Sequence, residues 1–485
     1  MALPAFLRFL TTQINKSEAL AEDTDAVVKA FIRAERQRLS KSAHSGIGGA
    51  AEKRNRKRFA SKRANDLAAL LLGRARRRRL TKDALTATFR PSPILDALVP
   101  SRKQDWVPVL SRSRNETASV ELKNFSFLDN PAGTLSALKN LAQVSCRYVD
   151  AKVHFADEHC LDIGAYLVLS EVWRSLFPSF TGGNMQPSVQ KVLEAVGLRE
   201  VMRMRLGGVD DLDDIWAFPI KKRVPFGSLH SNRIVFEAQR DQITAEQLCD
   251  AIDTWLGVPK PPHELTTEGR AWIATIILEL LNNAQRHSNP ETSDGNWSIA
   301  AFMVRRATDG VETFNCHLGI LSVGASINES LRTCEPTTRA ELNRFVALQS
   351  GSNRSDATLR TLYALQDGVT RDPKAAAKRR GGVGLQDVIE LVNTLGGTSS
   401  SGPSPRLTIL SGRTCISVGE PYMVGRRMAG STSPRVLWFN ARNSASDAPD
   451  PLHVFDLDDH FAGTIVSVSF GLVGAYLRQK FDEKN

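Results

Sequence analysis

The sequence predicts an α/β protein in three parts: a basic, partly helical arm (1–110), a small α/β domain (111–225) and a C-terminal α/β sandwich (226–485). Three observations carry this. Short apolar strands alternate with amphipathic helices from about Val120 onward, a polar stripe rides on a helix-period segment at 271–287, and the positive charge is gathered near the N-terminus. With 485 residues, 42% apolar and 24% charged, the chain is long and apolar enough for two to four domains, which excludes a fibre, a disulfide miniprotein and a wholly disordered chain. No apolar run approaches the roughly 20 residues that cross a bilayer, so no membrane is expected as a partner. Met1-Ala-Leu-Pro-Ala has no basic n-region and reaches Arg8 before an apolar core can form. No secretory signal is therefore expected, and the location expected is cytoplasmic. Six cysteines without a CxxC pair are expected to be reduced thiols.

In the arm, Asp66–Leu72 is the clearest helical patch, and the region ends beyond the Pro91-Ser92-Pro93 turn with no obvious folded core. Between Lys29 and Lys82 stand 18 Lys and Arg against Glu35, Glu52 and Asp66, a local net charge of +15 that leaves the rest of the chain at −4 within the total of +11. Such a segment can neutralise phosphates and hold RNA or DNA without reading sequence. An acidic protein partner or a solvated linker fits the same charge run, and the near absence of aromatics argues against base stacking.

The second part predicts strands at Phe125–Phe127 and Ala151–Phe155, helices at Pro131–Val144, Leu161–Phe177 and Ser188–Gly197, and a closing segment at Met202–Leu206. The strand ending near Phe155, the turn Cys160-Leu-Asp162-Ile-Gly164-Ala165 that opens a helix, and Val189–Leu198 before a last strand together resemble the STAS-like fold of anti-sigma factor antagonists. Those proteins present a phosphorylatable Ser or Thr just after the family's Asp, at a helix start where a phosphate is favoured. Here Ile163-Gly164-Ala165 supplies no hydroxyl, so no phosphorylation switch is expected there. An unrelated α/β unit in which Asp162 caps a helix fits the same residues.

The segment from Ala271 to His287 carries the chemistry. Ile273, Ile276, Ile277, Leu280, Leu281 and Ala284 recur at threes and fours, as one buried helix face requires. Glu279, Asn283 and His287 are four apart, so a carboxylate, a carboxamide and an imidazole share a neighbouring stripe. That set suits a magnesium nucleotide. Asn283 offers a neutral oxygen to Mg²⁺, Glu279 can orient or deprotonate a water or hydroxyl, and His287 can reach phosphate. A bland amphipathic helix with a polar shoulder fits the same spacing. About 100 residues later, Arg380-Gly381-Gly382-Val383-Gly384-Leu385 opens a second periodic segment (Leu385, Val388, Ile389, Val392, Leu395), where backbone N–H groups at a helix start can approach phosphate oxygens.

These motifs resemble the N box and second glycine box of the GHKL ATPase superfamily, which unites gyrase, heat-shock chaperone, histidine kinase and mismatch-repair ATP-binding domains. Glu279-Leu-Leu-Asn-Asn283-Ala matches the E-x-x-x-N-A pattern, and Arg406–Ser411 and Gly463-Thr464 through Phe470 look like the family's late strands. The resemblance covers about residues 230 to 473 and implies ATP and Mg²⁺ as cofactors, Asn283 as metal ligand, Glu279 as catalytic carboxylate, and His287, Ser322, Gly324, Arg379, Arg380, Gly381, Gly382, Gly384, Leu385 and Thr464 around the nucleotide. One departure concerns the first glycine box, whose Asp accepts from the adenine amino group. Ser322 of Leu321-Ser-Val-Gly324-Ala-Ser326 stands in that place, and the second glycine is Ser326. Weaker discrimination for adenine is the consequence. Between Asn328 and Arg380 the family's lid is expected, rich in Arg354, Arg360, Arg371, Lys374, Lys378, Arg379 and Arg380.

The resemblance implies a regulatory or effector-control protein that uses Mg-ATP as a slow ATPase or conformational clamp, with a protein partner or homodimerisation, in a setting such as bacterial signalling or phage defence. An anti-sigma-type serine/threonine kinase and a catalytically silent nucleic-acid-binding scaffold are the alternatives. The acidic and histidine-rich run His453, Asp456, Asp458, Asp459, His460 fits no metal-ligand spacing and reads as a solvated insertion between late strands.

Overall fold

A computed structural model of the chain describes residues 88–107, 112–114, 118–149, 151–177, 179–198, 215–223, 240–308, 311–369, 384–397, 404–427, 434–472 and 474–480, with Arg58 and Lys62. The 29–82 arm otherwise lies outside the described residues, as do Asp66–Leu72, Met202–Leu206 and Arg379 to Gly382. In chain order the helices are α1 (Pro93–Leu98), α2 (Arg102–Asp105), α3 (Pro131–Arg147), α4 (Ile163–Leu176), α5 (Pro187–Ala195), α6 (Asp241–Leu256), α7 (Thr267–His287), α8 (Ile327–Ser330), α9 (Pro336–Leu348), α10 (Asp356–Ala364) and α11 (Gly384–Gly396). The strands are β1 (Ser113–Arg114), β2 (Ser119–Leu122), β3 (Tyr148–Val149), β4 (Ala151–Phe155), β5 (Phe180–Gly182), β6 (Ile215–Arg223), β7 (His263–Leu265), β8 (Trp297–Thr308), β9 (Val311–Val323), β10 (Arg406–Val418), β11 (Arg426–Arg427), β12 (Arg435–Val436), β13 (Val454–Leu472) and β14 (Leu477–Gln479). The class is mixed α/β, and among the described residues no helix is long and apolar enough to cross a membrane.

The molecule is organised around a five-stranded sheet, ordered β10-β13-β9-β8-β6, in which every neighbouring pair is antiparallel. An antiparallel sheet commonly leaves one face to water. Here both faces are apolar. Leu318 and Ile320 of β9, with Ile299 and Met303 of β8, face the core built with α6, α7 and α11. Leu321, Phe302 and Ile465 point the other way, into a core shared with α1, α3 and α4. The period of two along each strand thus serves two packing layers. The second layer belongs to the smaller unit, whose strands β2, β4 and β5 form a parallel sheet in the order β2-β4-β5, linked by α3 and α4.

The layers meet closely at α4. Its first turn is capped by Asp162, whose carboxylate accepts from Gly164 N at 2.7 Å and Phe127 N at 2.7 Å, and also from Ser467 Oγ of β13 at 3.1 Å. Burial pushes this carboxyl up to about 6, outweighing the three donors that favour its charged form. Gly164 lies directly on Gly319 of β9: a Cβ on Gly319 would stand 2.8 Å from Gly164 Cα, which leaves no room for any side chain. Ion pairs rim the junction, Arg406 to Asp129 at 2.5 Å and Lys139 to Asp459 at 2.5 Å.

Several expectations are corrected here. Phe125–Phe127 is no strand: its backbone donors go to side chains, Phe125 N to Asp157 and Phe127 N to Asp162, so the strand forms upstream at β2. The folded body begins before residue 110, because Ile94, Leu95 and Leu98 of α1, started by the Ser92 cap and Pro93, are buried in the shared core. The 215–223 segment, on the smaller unit's side of the boundary at 225, is an edge strand of the large sheet, paired with β8. His453, Asp456, Asp458, Asp459 and His460 are not a solvated insertion. All but His453 lie within β13, where Asp456 accepts from Thr358 Oγ1 at 2.7 Å, and the His453 ring lies 2.7 Å from Ser417 O.

Gly319→Val is expected to force the two layers apart and to destabilise the fold by about 1–3 kcal/mol, the usual cost of overpacking. Urea unfolding of the variant beside the parent measures this, and an unchanged midpoint would show that the two layers do not rest on this contact.

Candidate functional site

Helix α7 starts at the Thr266 cap, which accepts from Gly269 N at 3.1 Å, and buries Ile273, Ile276, Ile277, Leu280, Leu281 and Ala284, the whole apolar face expected. Glu279, Asn283 and His287 stand half-buried on the adjoining stripe. The glycine turn meets this stripe directly. Gly384, the first residue of α11, packs so tightly on Glu279 that a Cβ there would collide with its Oε2 atom. Glu279 is held above the ordinary carboxylate range, first by burial and then by the nearby charge of Asp387, while Arg286 acts in the opposite sense. It makes no hydrogen bond or ion pair among the described residues. Leu385 turns inward and packs against the helix-side core.

The far end of α7 meets the strand ends. Ala325 N donates to Ser288 O, the C-cap carbonyl, at 2.9 Å, and Gly324, with φ of 142°, lies flush against that carbonyl in a conformation that excludes a side chain. The turn is held from below by Asn296, whose amide accepts from Val323 N at 2.9 Å and donates to Val323 O at 3.0 Å. Ser322 and Thr464 are directly opposed partners on β9 and β13, and Ser411 on β10 faces Thr464, with 2.7 Å between the hydroxyls. Three hydroxyls therefore run across the sheet at one level, with Ser322 and Ser411 buried. Ser288 stands nine positions beyond Glu279, about 14 Å along the helix.

The structure therefore sets Glu279, Asn283 and His287 along one stripe of α7, seats Gly384 of α11 on Glu279, and brings the strand ends with Ser322, Gly324 and Thr464 to the C-terminal end of α7. Arg379, Arg380, Gly381 and Gly382 lie outside the described residues. The expected lid is only partly a loop: residues 327–364 carry α8, α9 and α10, with Leu342, Phe345, Leu359 and Leu362 buried, and Arg360 is engaged with Asn343. Sequence reading missed Asp387 and Arg435. Asp387 was one helical turn after Gly384, on the same face by the three-residue spacing; nothing local marked Arg435. Among the described residues no group of three or more His, Cys, Asp or Glu is placed to hold a metal ion. A hard cation that keeps most of its waters needs few protein ligands, and the Asn283 carboxamide oxygen can be one. No protein-family model matches the chain, and no curated protein or solved structure matches it.

The raised Glu279 implies a definite pH dependence. Its ionised form is disfavoured in the fold, so its stabilising contribution is present below the unfolded value near 4.5 and is lost as pH rises through the folded value. Glu279→Gln is expected to raise the thermal midpoint at neutral pH, with the gain disappearing as the pH is lowered past that range. A gain that is constant with pH would mean that repulsion and burial do not act on this carboxyl.

Proposed function

We propose that the 226–485 region binds a magnesium nucleotide in the manner of GHKL ATPases and uses it as a slow ATPase or conformational clamp, in a regulatory or effector-control role. The observation that carries this is the seating of Gly384 on Glu279, with the Ser322–Thr464 pair at the other end of the same helix. Phosphates belong at the α11 end, where a glycine start lets backbone N–H groups and the helix dipole approach them. The base belongs at the hydroxyl row. Asn283, one turn from Glu279, would hold Mg²⁺ through its carboxamide oxygen. A carboxyl held above its ordinary range is a stronger base, which suits Glu279 to receive a proton from an attacking water.

The hydroxyl row also bears on which base is accepted. A serine hydroxyl can accept from an amino group or donate to a carbonyl, whereas a carboxylate only accepts. ATP and GTP are therefore expected to bind with similar affinity. The 29–82 arm is proposed to hold nucleic acid through its phosphates, since its net charge of +15 is confined to one stretch.

In nucleotide titrations, Asn283→Ala is expected to abolish Mg²⁺-dependent binding, while Glu279→Ala binds normally and turns over about 10² times more slowly. Unchanged affinity in the first variant removes Asn283 from the site. With γ-labelled ATP, free phosphate indicates hydrolysis and labelled protein a kinase. For the arm, RNA affinity of the intact protein is expected to fall steeply with salt and to be lost on deleting 29–82. A salt-independent affinity would assign that segment to another partner.

A further inference from the structure

Arg435, on β12, is nearly buried and is surrounded by three carboxylates. Its Nε donates to Asp367 Oδ2 at 2.8 Å, Nη2 to Asp387 Oδ1 at 2.6 Å and Nη1 to Glu390 Oε2 at 2.8 Å. The backbone is tied in as well, with Arg435 N donating to Asp367 Oδ2 at 2.9 Å and Asp367 N to Arg435 O at 3.2 Å. Asp367 comes after α10 in the chain, while Asp387 and Glu390 lie in the first two turns of α11. One guanidinium therefore joins three separate stretches of chain. It is the only cation bonded to any of the three acids among the described residues, so the cluster carries more negative than positive charge.

The location of that excess matters. Asp387 is one turn beyond Gly384, and Gly384 rests on Glu279. Among the described residues, the charged groups acting on Glu279 are Asp387 from α11 and Arg286 from its own helix. Arg435 does not act on Glu279 directly. It holds one oxygen of Asp387, and it ties the first turns of α11 to the stretch that follows α10. The neighbouring Gln386 strengthens the brace: it is fully buried and donates to Leu365 O at 2.9 Å.

We propose that Arg435 is a positioning residue for Glu279: through Asp387 it sets how strongly the start of α11 repels the Glu279 carboxylate, and it fixes that helix start in place. This rests on the reading of Glu279 as the carboxylate that handles the attacking water. Two of its parts are separable by substitution. Asp387→Asn removes the repelling charge while its amide oxygen can still accept from Arg435. Arg435→Gln leaves three carboxylates without their cation, and the repulsion grows. Arg435→Lys keeps the charge but loses the planar fork that spans three acids.

The test is a ¹³C NMR titration of the Glu279 carboxyl in the full chain, with the Glu279→Gln spectrum used to assign its signal, beside the pH profile of ATP turnover. The Glu279 midpoint is expected to move to lower pH in Asp387→Asn and to higher pH in Arg435→Gln, with Arg435→Lys between parent and Arg435→Gln. The acid limb of the turnover profile is expected to shift in the same directions. Should Arg435→Gln fail to fold, Asp387→Asn and Arg435→Lys still carry the test. A Glu279 midpoint that is the same in parent, Asp387→Asn and Arg435→Lys overturns the proposal. Midpoints that move as expected in a protein that neither binds nor turns over ATP uphold the coupling and overturn the nucleotide reading instead.

Discussion

The five-stranded sheet has to be covered twice. Its strands alternate apolar residues to both faces, so exposing either would leave a broad hydrophobic surface in water. Helices α6, α7 and α11 cover one side, and the smaller unit covers the other through α1, α3 and α4. The closeness of Gly164 and Gly319 shows how far this second cover is built in, since a Cβ on Gly319 would strike the Gly164 backbone and one on Gly164 would strike Ser467 Oγ of β13. The geometry of the site depends on this double cover. The strands that carry Ser322 and Thr464 lie between two cores, and α7 packs against one face of them.

The sheet also explains the division of chemistry along α7. Its apolar stripe is spent on packing, which leaves a polar shoulder at the margin where α11 arrives. A carboxyl there is partly dehydrated, with no cation bonded to it among the described residues, and a second acid is set nearby. Ordinary surface glutamates are neither. Arg435 gathers three carboxylates around one guanidinium, whereas Glu279 has no bonded partner among the described residues, and that contrast marks Glu279 as the candidate for chemistry.

Much of this was legible in the sequence where the signal was local. The three-and-four spacing of Ile273 to Ala284 located α7 and its buried face, and the glycine cluster at 381–384 marked the opening of α11. Pro131 and Asp162 marked the starts of α3 and α4 through cap chemistry. What was not legible depended on partners far along the chain. Phe125–Phe127 has the pattern of a strand, yet Asp157 and Asp162, more than thirty residues on, take its backbone donors. The second apolar face of the sheet could not be told from ordinary strand composition without knowing that α4 lies on it. Arg435 stands 45 residues or more from each of its acids, so no window of sequence could reveal it.

Strand β6 has one further consequence. The chain leaves the smaller unit after α5, crosses to the edge of the large sheet, and only then supplies the helices that complete the other core. The two units follow one another along the chain, yet they share one core across the sheet's second face. A cut placed before β6 strips the sheet's second face of its cover, and a cut placed after it carries off an edge strand. Shuffling of whole domains, which assembles many multi-part proteins by joining finished pieces, has no clean seam to use here. Descent would be expected to pass this pair on as a single heritable unit, with both halves changing together.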